Sequence, residues 1–192
     1  ADTTADRGIA VYSSFDNEET GSATRQGAGS PFLQDTLQAI CDALGLRLPT
    51  MLASSFMVSA DNGHARHPNH PEMSDGANCP NLNGGIVIKA NAAQKYTTDG
   101  VSAAIFGEIC RAANVPTQVF HNRSDMLGGS TLGSISNTKV ALHTVDIGLP
   151  QLAMHSAYET AGTKDTAYLI DAMKRFYETN FRAVGDDVLE LE

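Results

Sequence analysis

The sequence predicts an α/β layered domain. Strand-like and helix-like stretches alternate along its 192 residues, and apolar residues make up 42% of the chain. Short apolar runs bounded by Gly, Pro, Asn or Asp read as buried strands. Longer stretches with apolar residues at helical spacing lie between them, and such alternation is the mark of α/β architecture. The length suffices for one domain with a hydrophobic core, and the apolar content argues against disorder.

The elements follow in order. Residues 8–15 (GIAVYSSF) read as a mostly buried strand of the parallel type. They come directly after a polar heptapeptide, an abrupt start that looks like an entry into the middle of a domain. Ser30 and Pro31 open a helix, Ser30 as cap and Pro31 at the first helical position. Phe32, Leu33, Leu37, Ile40, Cys41 and Leu44 give its apolar face, and Gly45 is its stop. Residues 55–60 (SFMVSA) form a second strand that ends on Asp61. Residues 62–85 are rich in His, Pro, Asn and Gly without periodicity; a loop that long is usually functional or interfacial. Residues 85–90 (GIVIKA), 117–121 and 142–147 (LHTVDI) read as further strands. Residues 98–113 form a helix with Val101, Ile105, Ile109 and Cys110 on one side. A closing amphipathic helix spans 165–181, with Ala167, Leu169, Ile170, Met173, Phe176 and Tyr177, and residues 186–192 read as a solvated acidic tail.

Charge and cysteine usage narrow the function. The formal net charge of −9 argues against nucleic acid or an anionic membrane as main partner, since both need clustered Lys and Arg. Cys41, Cys79 and Cys110 are odd in number, widely spaced and in no CxxC pair, so neither a disulfide framework nor a Cys-rich zinc knuckle is expected. A reducing, cytoplasmic setting fits. No apolar run reaches membrane-spanning length, and residues 1–7 lack the apolar stretch of a signal peptide.

Four segments have residue types that carry chemistry. In FDNEETGS, Glu18 and Glu19 follow a predicted strand end, the side of an open α/β sheet where ligands bind. One such glutamate can bind a metal while the other acts as general base; the alternative is an acidic loop in solvent. Asp61 also follows a strand, with His64 and His67 three and six residues on, a set suited to a divalent metal or a substrate carboxylate; a locally bonded polar loop is the alternative. His155, in PQLAMHS, is either a ligand past a third strand end or a satisfied core histidine. The Gly, Ser and Thr of NRSDMLGGSTLG offer backbone N–H groups to an anion or simply make a tight turn before a helix; GxxxxGK[ST] is absent. Acidic residues with a histidine suit paired divalent metals.

Five segments, FDNEETGS, SADNGHARHPNHPE, GGIVIKANAAQKYTTDGVSAAIF, NRSDMLGGSTLG and VDIGLPQLAMHSAYETAGTKD, occur in an order and spacing that resemble the aspartyl aminopeptidase family, which includes vacuolar aminopeptidase I and bacterial relatives. The resemblance runs over essentially the whole chain. It implies the C-terminal part of a three-layer α/β/α zinc-exopeptidase domain with a central mixed sheet. It implies two zinc ions and removal of N-terminal residues from peptides. Carried onto this sequence, Glu18 is the general base, Glu19 and His155 bind one metal and Asp61 binds the other. A bridging Asp, a further His ligand and the family's inserted oligomerisation domain are expected upstream of Ala1. Lys89 is expected to receive an acidic substrate side chain, and His67 to reach a neighbouring subunit's active site, which implies a large homo-oligomer. NRSDMLGGST departs from the eukaryotic form and resembles a bacterial subgroup, which leaves acidic and neutral first residues both open. The rival readings are an incomplete or inactive assembly subunit and a related dinuclear metallo-deacetylase or carboxypeptidase.

Overall fold

The computed structural model describes residues 8–126, 128–185 and 188–192. The polar heptapeptide, Leu127 of the glycine-rich segment and Asp186 and Asp187 of the expected tail lie outside them. The helices are α1 (Glu18–Gly21), α2 (Phe32–Leu44), α3 (Leu48–Ala53), α4 (Gly100–Ala112), α5 (Leu132–Ser136) and α6 (Asp165–Glu178). The strands are β1 (Phe56–Ala60), β2 (Gly63–His64), β3 (Ile86–Ala90), β4 (Thr117–His121), β5 (His143–Gly148), β6 (Pro150–Leu152), β7 (Thr160–Ala161), β8 (Phe181–Gly185) and β9 (Val188–Leu191). The chain forms two compact units. One comprises the described parts of Ala1–Phe56, Ile135–His143 and Tyr177–Glu192; the other those of Met57–Ser134 and Thr144–Phe176.

The second unit is built on a mixed sheet of order β1-β5-β3-β4. β3 runs parallel to β4, from Ile86 opposite Thr117 to Ala90 opposite His121. It runs antiparallel to β5, with Val87 opposite Gly148 and Ile88 opposite Ile147. The inner strands β3 and β5 are buried almost throughout, which is why they read as continuous apolar runs. The edge strand β4 is mostly solvent-facing. Ile86, Val87, Val145 and Ile147 are fully buried. In α4, Asp99 accepts from the Ser102 backbone N–H while Ser102 Oγ accepts from the Asp99 N–H, a reciprocal capping box. α4 buries Ile105, Phe106, Ile109 and Cys110; Val101, expected on that face, is exposed. A second, smaller sheet pairs β2 with β6 in parallel and β6 with β7 antiparallel.

In the first unit, α2 ends as expected on Gly45, whose left-handed φ of 69° lets its N–H reach back to the carbonyls of Cys41 and Asp42. Ser30 Oγ accepts from the Phe32 N–H at 3.3 Å. The rings of Phe56 and Phe181 stack at 5.4 Å.

Four expectations are corrected. Residues 8–15 form no strand among the described residues. A strand needs a ladder partner; here Gly8 N–H donates to Asn180 Oδ1, the Val11 carbonyl accepts from Tyr177 Oη, and Tyr12 is 82% exposed. Residues 62–85 are not one structureless loop but contain β2 and a 3₁₀ turn, Pro71–Met73. The closing helix stops at Glu178, with Ile170 and Tyr177 exposed, and Phe181 begins β8. Val188–Leu191 is not a solvated tail but pairs antiparallel with β8, because its alternation of apolar and polar residues is a strand period. Among the described residues, all three cysteines are free and no helix is long and apolar enough to cross a membrane.

Candidate functional site

The site in the second unit starts from the turn after β1. Asp61 N–H donates to the Ile147 carbonyl, Gly63 N–H to that of Leu149 and Ala65 N–H to that of Gln151. Residues 61–65 are thereby laddered onto 147–151. Asn62 locks the pair sideways, donating to Gln151 Oε1 at 2.9 Å and accepting from the Leu149 N–H at 3.3 Å. Gly148 must be glycine at this crossing, since a Cβ there would stand 2.0 Å from the Asp61 carbonyl oxygen. An open cleft of about 270 Å³ is lined by Ala60, Asp61, Asn62, Gly148, Leu149 and Leu169.

Lys89, on β3, is only 2% exposed. Its ammonium lies 3.3 Å from Asp61 Oδ2, donates to the Asn62 carbonyl at 2.9 Å, and stands 5.7 Å from the centre of the Tyr96 ring. A buried charge needs such compensation. His64 keeps an exposed edge, yet its pKa is lowered from the ordinary 6.5, first by burial of the rest of the ring, then by the charges of Lys89 and His155, against an opposing pull from Asp61. The shift favours the neutral imidazole, the form that ligates metals.

His155 follows β6 in a turn where Ala153 and His155 both take left-handed φ angles, 55° and 66°. Such conformations are costly for side chains with a Cβ and cluster at functional sites. Its N–H donates to Glu159 Oε1 at 2.6 Å, and its side chain is exposed, so it is not a core histidine. His67 Nδ1 accepts from the Asn69 N–H, and its ring lies 5.3 Å from that of His70. Arg123 donates to the Glu72 carbonyl and to both carboxylate oxygens of Asp125, pinning the far end of the histidine-rich loop.

Glu18 and Glu19 belong to the other unit. They occupy the first turn of the short helix α1, not the end of a strand. Their loop is closed by Gly29 N–H to the Ser22 carbonyl at 2.8 Å and by Asn17 Nδ2 to Thr24 Oγ1 at 3.0 Å. Thus Asp61, His64, Lys89 and His155 are brought together in one unit, and Glu18 and Glu19 are neighbours in the other.

The sequence reading missed Asp146. Asp146, fully buried in β5, accepts from the Thr97 N–H, Thr97 Oγ1 and Thr131 Oγ1. It clasps two loops, and its signal was an aspartate inside an apolar strand. The glycine-rich segment leads into α5, the turn-before-helix alternative of the sequence reading, and its end packs on this carboxylate: a Cβ at Gly133 would meet Asp146 Oδ1 at 2.3 Å.

Carboxylate and imidazole are zinc donors, and Asp61 and His155 supply one of each. Among the described residues, however, no three His, Cys, Asp or Glu stand close enough together to hold a metal ion. The donor chemistry fits zinc; a closed donor set does not form within these residues.

A family model described as aminopeptidase I zinc metalloprotease (M18) matches residues 1–177, and the chain belongs to that family. It is 50% identical over 170 residues to a probable M18 family aminopeptidase 2 of Clostridium acetobutylicum, covering 87% of this chain and 39% of that protein. The fold superposes on Ape4 in its cryo-EM complex with Nbr1 at a TM-score of 0.83 and 41% identity, over 86% of this chain and 32% of that one. It superposes on the S. cerevisiae mApe1 dodecamer at 0.77 and 30%, over 85% and 36%. The chain therefore spans about two fifths of the length of the C. acetobutylicum relative.

Proposed function

We propose that this chain is the C-terminal portion of the catalytic domain of a zinc aminopeptidase that removes acidic or neutral N-terminal residues from peptides. The observation that carries the reading is Asp61 and His155 held on two laddered segments of one unit, in a chain of a zinc metalloprotease family. Asp61 would hold one zinc and His155 the other, joined there by Glu19. Bound zinc would supply polarisation of the scissile carbonyl and a lowered pKa for water. Glu18 accepts the proton of the attacking water and delivers it to the leaving amine nitrogen. His67 and Lys89 meet the substrate, His67 from a neighbouring subunit. The incomplete donor set is consistent with a bridging Asp and a second His contributed by sequence upstream of Ala1. The mApe1 dodecamer among its structural relatives supports a large homo-oligomer, and a cytoplasmic enzyme fits the free thiols.

The same incomplete donor set favours an inert isolated chain. Protein expressed from the complete gene should carry two zinc ions per subunit and hydrolyse peptides with a free N-terminus but not their N-acetylated forms. Turnover of both forms would point instead to a carboxypeptidase, and turnover of the N-acetylated form alone to a deacetylase. The 192-residue chain alone should show little turnover until the upstream portion is added.

A further inference from the structure

The proposed zinc ligand Asp61 does not stand alone. Lys89 reaches it from β3, a strand buried on both faces whose register is fixed on one side by Lys89 opposite Phe120 and on the other by Ile88 opposite Ile147. The lysine stem runs beside the turn: a Cβ at Gly63 would lie 3.4 Å from Lys89 Cε. The ammonium ends against the carboxylate of Asp61, the carbonyl of Asn62 and the face of Tyr96. Tyr96 is itself buried with Val87 and Phe120. One side of the Asp61 carboxylate is thus held by a cation that scarcely meets solvent, while the Asp61 side chain remains 31% exposed.

The Lys89 ammonium is 2% exposed and is shared between two oxygens of the Asp61–Asn62 turn. A carboxylate that binds metal, in turn, is commonly oriented by an outer hydrogen-bond partner. We propose that Lys89 is a positioning residue, its buried ammonium holding the Asp61 carboxylate and the Asn62 carbonyl in the arrangement from which Asp61 binds zinc. This rests on the zinc role proposed for Asp61. It comes before any contact Lys89 makes with substrate, and it gives β3, which carries no proposed zinc ligand, a direct part in the metal centre.

The test uses protein expressed from the complete gene and reads the zinc dissociation constant by competition with a chelator of known affinity. Lys89→Met keeps the stem and removes the charge. Replacing a buried charge by an apolar group of similar shape is often tolerated, so the zinc-free variant should melt close to wild type. Zinc binding should weaken about 10–100-fold. Lys89→Arg, which keeps a cation, should lose less. If Lys89→Met does not fold, Lys89→Gln, which loses the charge but keeps an N–H donor, replaces it under the same expectation. Unchanged zinc affinity in the uncharged variant overturns the proposal, including when preference for acidic N-terminal residues is lost. Equal weakening in the uncharged variant and in Lys89→Arg also overturns it, since packing and not charge would then matter. Absence of zinc from the wild-type protein is the distinct failure of the underlying aminopeptidase reading.

Discussion

At the scale of single residues, sequence position and structural role part company most clearly at Lys89. In the sequence it is a lysine near a strand end, either a surface charge or a substrate contact. The structure excludes the surface, because the sheet neighbours of β3 enclose it and Asp61, 28 positions earlier, comes to meet it. No local pattern encodes a pairing of that kind. Asp146 is similar: its three donors come from segments far apart in the chain. Cys110 is simpler, since its place on the apolar side of a helix was legible. Burial pushes its thiol from the ordinary 9.0 up to about 12. The folded state therefore keeps the proton that the unfolded chain releases, and stability on this account is complete below the ordinary thiol range and falls as pH rises from there toward about 12. In native protein at pH 8, Cys110 should not react with a disulfide reagent such as DTNB; in denaturant it should react fully. Rapid native labelling of Cys110 would contradict its burial.

At the scale of elements, the sequence was most readable where burial is continuous and least where pairing is non-local. β3, β4 and β5 were found within a residue or so because an apolar run between turn residues has few other solutions. α4 was found from Val101, Ile105, Ile109 and Cys110 at helical spacing, and the structure adds the capping box of Asp99 and Ser102 that fixes its start. Asp99→Ala should remove one half of that capping box and cost about 0.5–2 kcal/mol in a denaturant titration, with the slope unchanged. No loss of stability would mean the cap contributes nothing. Residues 8–15 carry the composition of a buried strand but have no ladder partner among the described residues, and composition cannot supply one. Val188–Leu191 failed the other way: its acidic residues suggested solvent, while Leu189 and Leu191 alternate with them and face inward in part on a hairpin with β8. The histidine-rich segment looked like one loop because a two-residue strand such as β2 leaves no periodic trace.

At the scale of the whole molecule, the five ordered segments identified the family, and the match over residues 1–177 agrees with them. The candidate site was half legible. Asp61 and His155 do lie just beyond strands, on segments joined by the β2–β6 pairing. Glu18 and Glu19 lie instead at a helix start, which offers backbone N–H groups to carboxylates and not a sheet crevice. The net charge of −9 is unfavourable for binding nucleic acid. The central claim, that these residues act as one zinc peptidase site, is tested most directly with Glu18→Gln in protein expressed from the complete gene, measuring bound zinc and turnover of a free N-terminal peptide together. The account predicts two zinc ions retained and turnover reduced by about 10²–10⁴-fold, the scale of a lost general base. Near-normal turnover with zinc retained would contradict it.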